Sequence, residues 1–437
     1  MKKLAFLAIF SILFISVGAF AGLKQKNNQS AEYVKTMSRN ASTDIDCVYF
    51  NPAAAAQMTA GLHLYLGYQF IYQPWSLEAK EFGTVPVDAS GVNGDYELIA
   101  MVPFWPDLYV NYVMDKMGPG DLAVWLAVSP LGGGAFTGDE SVPLIEAFLV
   151  PTGSVSIDAE SSMVYYNFQL GTSYALMDKM VSLSVGYRLV YGTGMAKFDF
   201  DYGLTEKIDA EMSGICHGVI VGISAKPLKT MGINDLTVAV KFEWYSKLTL
   251  DVEADNEVIT DALGYNLANM NGLVDGAEKD DTIPMNIGIG LAYKIMGINL
   301  SWSFNYFLEK ETDWGDDADF DNSWETGVGV DFTLPMIPLN IGVGYLYQTF
   351  GTPDAEMIDI DFNPVTHQVG VGLTYEILKS MGLKVTLAYS FAYGVPKDIA
   401  AGSTVYGMIA GMGVPVGKVN ASKMTHVVAL GVTAKVL

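Results

Sequence analysis

Long apolar runs are missing from this chain of 437 residues. Past the first twenty residues no stretch reaches the ~18 apolar residues that a spanning helix requires, which excludes a helical membrane protein. Charge is scarce as well: Asp, Glu, Lys and Arg make up 17%, against about 25% in an average globular chain. Cations are scarcer still, with 25 Lys and Arg against 48 Asp and Glu and just two arginines, Arg39 and Arg188. A net charge of −23 leaves no basic stripe for phosphates and excludes a nucleic-acid binder. Two cysteines, Cys47 and Cys216, cannot make a disulfide framework and read as isolated buried thiols. Four scattered histidines have no zinc spacing. No Gly-x-Ser-x-Gly elbow, His-Glu-x-x-His or phosphate loop is present. An enzyme is therefore not expected, and neither is a cofactor or metal. What remains is half hydrophobic, 12% aromatic and rich in glycine, with 45 of them. That composition also excludes a disordered acidic protein.

The N-terminus reads as an export signal. Met1-Lys2-Lys3 is a positive start, Leu4 to Val17 an apolar core, and Gly18-Ala19-Phe20-Ala21 a small-x-small cleavage site. Residues 1–21 are expected to be removed, leaving 22–60 as one segment and 61–437 as another.

From residue 61 the pattern has period two. Val181, Leu183, Val185, Tyr187, Leu189 and Tyr191 take one face, and Ser182, Ser184, Gly186, Arg188 and Gly192 most of the other. A helix would scatter these residues round its circumference, so they form strands. Fourteen such strands start near Leu62, Tyr96, Leu122, Val164, Val181, Gly214, Leu236, Pro284, Ile298, Trp324, Leu339, Gln368, Leu383 and Thr425. Six short turns, such as Met177-Asp178-Lys179-Met180 and Lys294-Ile295-Met296-Gly297, alternate with seven long acidic or Gly/Pro-rich connections. These are placed near 73–95, 130–162, 198–213, 251–282, 309–323, 350–366 and 396–424. Short turns on one side and long loops on the other define an up-and-down, all-β transmembrane barrel of the bacterial outer membrane. A soluble sandwich would carry charge on its outer face, whereas here one face of nearly every strand is aliphatic or aromatic. Tyr68, Tyr72, Tyr187, Tyr191, Trp302, Tyr306, Tyr389 and Tyr393 suit interfacial girdles.

The face turned to the lumen is rich in glycine: Gly288, Gly290, Gly327, Gly329, Gly342, Gly344, Gly370 and Gly372 among others. A water pore would be ringed by charge. Strand glycines imply either that another chain segment approaches closely or that the strands bend. Both readings stand, and the first makes residues 22–60 a plug inside the lumen.

That segment contains Asp44, six residues and then Asn51-Pro52-Ala53, just before strand one. The arrangement resembles the hatch of the FadL/TodX long-chain fatty-acid transport family of outer membranes. Asp44 matches that family's upstream acid, and Asn51, Pro52 and Ala53 its Asn-Pro-Ala element. The resemblance implies passive uptake of long-chain fatty acids or other hydrophobic compounds by a monomer in the outer membrane of a Gram-negative-type bacterium. Ligand would be captured among the external loops, pass to a site in the lumen, and leave sideways through a gap in the wall after hatch movement. The alternative is a barrel of the same shape that transports nothing and serves as a docking or shuttle component for secreted proteins.

Each step has candidate residues. Phe136, Leu144, Phe148 and Leu149 read as a capture groove or as loop-to-loop packing. Ser129-Pro130-Leu131-Gly132-Gly133-Gly134, in strand three, removes a ladder donor and tolerates a sharp bend. It marks either a wall gap or the strand's exit into a loop. Pro52 fixes a turn whose Asn51 side chain can bond backbone. Arg39 and Arg188 are the candidate contacts for a ligand carboxylate. Lumen acids such as Glu243 and Glu325 offer them ion pairs instead.

Overall fold

The computed structural model describes residues 30–436, apart from 80, 83–84, 87–94, 139–155, 202–204, 234, 258–272, 313–319, 354–362 and 400–418. The expected signal segment, Leu144, Phe148 and Leu149 lie outside the described residues, as does the Phe136 side chain.

Fourteen antiparallel wall strands close on themselves. In chain order they are β1 (Gly61–Ala79), β4 (Asp95–Met117), β5 (Gly120–Gly138), β6 (Ser156–Leu176), β7 (Val181–Asp201), β8 (Thr205–Ala225) and β9 (Leu236–Tyr245). They continue with β12 (Met285–Ile295), β13 (Ile298–Leu308), β14 (Ser323–Thr333), β15 (Leu339–Gln348), β16 (Thr366–Leu378), β17 (Leu383–Ile399) and β18 (Val419–Lys435). β1 pairs with β18 from His63↔Lys435 to Ala79↔Val419, which seals the cylinder. Two further pieces, β10 (Leu248–Ala254) and β11 (Glu278–Asp281), pair with each other, and β10 also with β8. A small ribbon of β2 (Glu81–Phe82) and β3 (Val85–Pro86) stands apart.

The short turns follow from local chemistry. Met296 and Gly297 both have positive φ, 51° and 82°, as a two-residue hairpin with the right-handed strand twist requires. Period two then sorts the faces. Leu183, Val185, Ile223, Leu373 and Leu387 are exposed on the outside, Leu387 at 54%, while Ser182, Ser184, Arg188, Ser224 and Ala388 are buried. Closing the sheet pairs the backbone, and such an apolar exterior suits lipid.

Strands three to six run further than expected. The 198–213 segment is an external ladder of β7 with β8 up to Asp201↔Thr205, not a long loop. Its inner face is apolar and buried, with Ile208, Ala210 and Met212 alternating with Lys207, Asp209 and Glu211. Backbone pairing and that buried face hold it, with the exposed cross-strand pairs Lys197–Asp209 (3.2 Å) and Lys207–Asp199 (3.5 Å) on the other side. β5 likewise passes through Ser129–Gly134 and continues to Gly138, so those residues are not its exit into a loop.

The lumen holds residues 30–60: helix α1 (Ala31–Thr36), helix α2 (Cys47–Phe50) and a 3₁₀ helix, Pro52–Gln57. A Cβ at Gly327, Gly329, Gly344 or Gly370 would overlap main-chain atoms of Val34, Thr36 or Met37. The wall is bare there because backbone packs on backbone.

Candidate functional site

The plug is built around one carboxylate. Ser30 caps α1 by accepting the Tyr33 N–H (3.1 Å), and Met37 ends the helix at φ 56°. The Ser30 hydroxyl also donates to Asp46 Oδ2 (3.0 Å), and Ser42 donates to Oδ1 (3.1 Å). Arg39 donates to both oxygens of the same group, at 2.7 and 2.8 Å, and a further bond reaches Asp44 (2.7 Å). A planar fork meeting a carboxylate two-fold is the strongest arrangement such groups offer. Desolvation inside the barrel pushes the half-exposed Asp44 carboxyl up, but Arg39, with Lys294 and Lys384, outweighs it and holds the group well below the usual carboxylate range.

Polar side chains then tie the plug to the wall all round. On one side, Lys35 donates to Asn340 (2.9 Å) and Thr374 (2.7 Å) and pairs with Glu32 (2.5 Å). Glu32 in turn accepts from Thr374 and Thr386. On the other, Asn51 accepts from its own turn at Ala53 N (3.3 Å) while donating to the carbonyls of Ile223 (3.4 Å) and Val240 (3.3 Å). A side chain at Gly222 would displace that Asn51 amide. Ser173 donates to the Pro52 carbonyl (2.6 Å), Asn111 to that of Ala55 (3.1 Å), and Gln169 to that of Val48.

Both arginines have protein partners. Arg39 faces Asp46 and Asp44, as above. Arg188 is fully buried; it donates to Glu243 (2.7 Å), Tyr245 (2.5 Å), Gln169 and the Tyr49 carbonyl (3.0 Å), and its guanidinium lies 5.4 Å from the Tyr49 ring centre. Lys241 approaches the second oxygen of Glu243 at 3.0 Å. Arg188–Glu243 is a wall–wall pair of the expected kind, whereas Arg39 pairs within the plug, with Asp46 and Asp44, and not with a wall acid.

On the short-turn side the plug borders an open vestibule of about 400 Å³, lined by Glu32, Lys35, Asp44, Lys294, Lys384 and Lys435. On the opposite side the lumen is apolar. Leu131, Met163, Val190 and Met212 of the wall meet Leu248 and Leu250 of β10, all buried. β10 begins past a break at Ser246–Lys247, where the Ser246 hydroxyl accepts from the His217 N–H (3.0 Å). The sequence reading missed this piece because its apolar alternation falls at the edge of an acidic connection.

Pairing of the wall fails beside that buried apolar cluster. The β4–β5 ladder runs from Met114↔Leu122 to Leu108↔Val128 and, among the described residues, resumes only at Ile99↔Thr137. Pro103 and Pro106 on β4 and Pro130 on β5 have no N–H to give, and β5 bulges against β6 between Pro130 and Gly132. Gly133 adopts φ 137°, and a Cβ there would overlap the Met163 carbonyl, so the bend needs glycine. Trp105 and Tyr109 also face the lumen at this level, buried at 2% and 0%. Alternation places them there, on the face they share with Asp107 and Asn111, while Phe104, Leu108 and Tyr112 face outward.

No family model matches the chain, and no curated protein matches it by sequence. Solved structures do. A FadL homologue of Pseudomonas aeruginosa superposes with a TM-score of 0.63 at 13% identity, covering 95% of this chain and 100% of that one. The toluene transporter TodX of P. putida gives 0.63 at 11%, covering 94% and 99%. The toluene transporter TbuX of Ralstonia pickettii gives 0.54 at 12%, again 94% and 99%. The fold of this chain is the plugged fourteen-stranded barrel of those proteins.

Proposed function

We propose that the protein is a passive outer-membrane channel for hydrophobic small molecules, with long-chain fatty acids and monoaromatic hydrocarbons as the candidate classes. A molecule enters from the side of the long connections, rests in the apolar chamber above the plug, and leaves sideways into the membrane through the β4–β5 break. The observation that carries this reading is the coincidence in level of the break and the buried apolar cluster: Leu131 lies in the stretch of β5 that does not pair with β4 and belongs to that cluster. A hydrophobic solute gains nothing by entering the aqueous space beyond the plug, whereas a lateral exit keeps it out of water. The structures that share the fold include toluene transporters, which is consistent with such a route. Asp44, Asn51, Pro52 and Ala53 serve as the plug's latch, and Ser129 to Gly134 as the gap.

The test is uptake of labelled oleate, 1-dodecanol and toluene by a strain lacking its own transporters. Expression of this chain is expected to restore at least one of them. Failure with all three, by a barrel shown to be folded in the outer membrane, would refute the reading.

A further inference from the structure

Five side chains at the mouth of the β4–β5 break carry polar atoms that are buried and have no hydrogen-bond partner among the described residues. They are Trp105 Nε1, the Tyr109 hydroxyl, Ser129 Oγ, both ends of the Asn167 amide, and the Tyr49 hydroxyl of the plug. Their residues are 0–2% exposed. The strand register puts them in one place. Tyr109 pairs with Ala127, and Ser129 follows two residues on along the same face of β5. Ser129 pairs directly with Asn167 of β6. Trp105 and Tyr109 lie on the same face of β4, and the Tyr49 ring stacks on that of Tyr109 at 6.2 Å. Buried polar groups are hydrogen-bonded almost without exception, and each orphan costs about 1–3 kcal/mol. Five such groups on three neighbouring strands and the plug, beside a break in the wall, are therefore a feature in search of a partner.

The chemistry of the set defines that partner. An indole N–H donates; the hydroxyls and the amide both donate and accept; none carries charge. The nearby cation, Arg188, is engaged by Glu243, Tyr245, Gln169 and Tyr49. Asp107, the first residue past the last β4–β5 pair, is fully buried at the same mouth, holding the Gln69 amide at 2.9 Å. A carboxylate brought here would meet another carboxylate and, among the described residues, no unengaged cation. A plain hydrocarbon would leave the five groups unpaired.

We infer that this patch binds the polar end of the transported molecule, and that the preferred cargo is a hydrophobic compound with one uncharged hydrogen-bonding group, such as an alcohol, phenol or ketone. The apolar body rests against Leu131, Met163 and Met212 while its oxygen faces Ser129 and Asn167. The inference rests on the proposal that the lumen carries hydrophobic compounds and names their class.

The experiment uses the full barrel in nanodiscs, with empty nanodiscs subtracted, and two matched sets of labelled probes. One set is 1-dodecanol, dodecane and dodecanoate; the other is 4-methylphenol, toluene and 4-methylbenzoate. In at least one set the alcohol or phenol is expected to bind roughly tenfold or more tightly than both partners, the worth of one to two buried hydrogen bonds. Ser129→Ala and Asn167→Leu are each expected to erase that preference by weakening binding of the alcohol or phenol to the level of its hydrocarbon. Equal binding of all three members, or a preference for the carboxylate, overturns the inference and leaves the channel reading standing. So does an undiminished preference in both variants, which assigns the patch to bound water. Binding of no probe from either set overturns the channel reading along with it.

Discussion

Arg188 and Glu243 form an ion pair at 2.7 Å with both side chains at 0% exposure, in the wall beside α2 of the plug. Taking two charges out of water is unfavourable unless each finds further partners. Tyr245 supplies one for both, donating to Glu243 at 2.9 Å while accepting from Arg188. Removing Glu243 alone should therefore cost far more than removing all the charges it joins. Glu243→Leu leaves buried Arg188 and Lys241 without their carboxylate and is expected to destabilise the barrel by about 3–5 kcal/mol, and the triple variant Arg188→Met, Lys241→Met, Glu243→Leu by much less. Urea unfolding in detergent, followed by tryptophan fluorescence, measures both. Equal losses for the single and triple variants would show that the charges are not coupled.

The Asn51 amide predicts how firmly the plug is seated. It bonds two wall carbonyls and its own turn, in space that Gly222 leaves free. Asn51→Ala should raise hydrogen exchange in residues 47–57 without loosening the strands, at a cost of about 1–3 kcal/mol. Gly222→Val should do the same from the opposite side by displacing the amide. Protection that is unchanged in both variants would contradict the latch.

Acid should act on the plug late. The Asp44 carboxyl is held well below its ordinary range, after desolvation is outweighed by Arg39, Lys294 and Lys384. Glu32 is lowered as well, burial being offset by Lys35 and Arg39. A carboxylate with a depressed native pKa contributes stability that is fully present above the unfolded value and is lost as pH falls through the native one. Exchange of α1 should thus be the same at pH 7 and pH 5, and should rise only below the ordinary carboxylate values of about 3.9–4.3. Loosening between pH 7 and pH 5 would contradict this assignment.

The wall was legible in the sequence and the chamber was not. Alternations such as Val181 to Tyr191 report a strand with one face in lipid, and they place most strand starts within a few residues. Lumen glycines such as Gly344 and Gly370 reported a close neighbour, which is the backbone of α1. The external β7–β8 ladder escaped notice because the charges of its outer face, Lys207, Asp209 and Glu211, read as an acidic loop, although Ile208, Ala210 and Met212 alternate with them on a buried inner face. The polar patch escaped because it depends on where pairing fails: Ser129 and Asn167 are ordinary lumen residues until the β4–β5 ladder breaks beside them. The partners of Arg188 likewise follow from the register Arg188↔Gly218↔Tyr245, which joins three strands and is invisible in any one.

The central claim is lateral exit through the β4–β5 break, and Gly134 gives direct access to it. A Cβ added at Gly134 has no described atom within 4 Å, so this position has room for a side chain and Gly134→Trp is placed to fill the break. Its uptake of whichever labelled compound the parent protein carries should be compared with that of the parent and of Ile341→Trp, on the lipid face of β15. The account predicts uptake at background for Gly134→Trp and at the parental rate for Ile341→Trp, with all three folded in the membrane to the same level. Parental uptake by a folded Gly134→Trp barrel would contradict it.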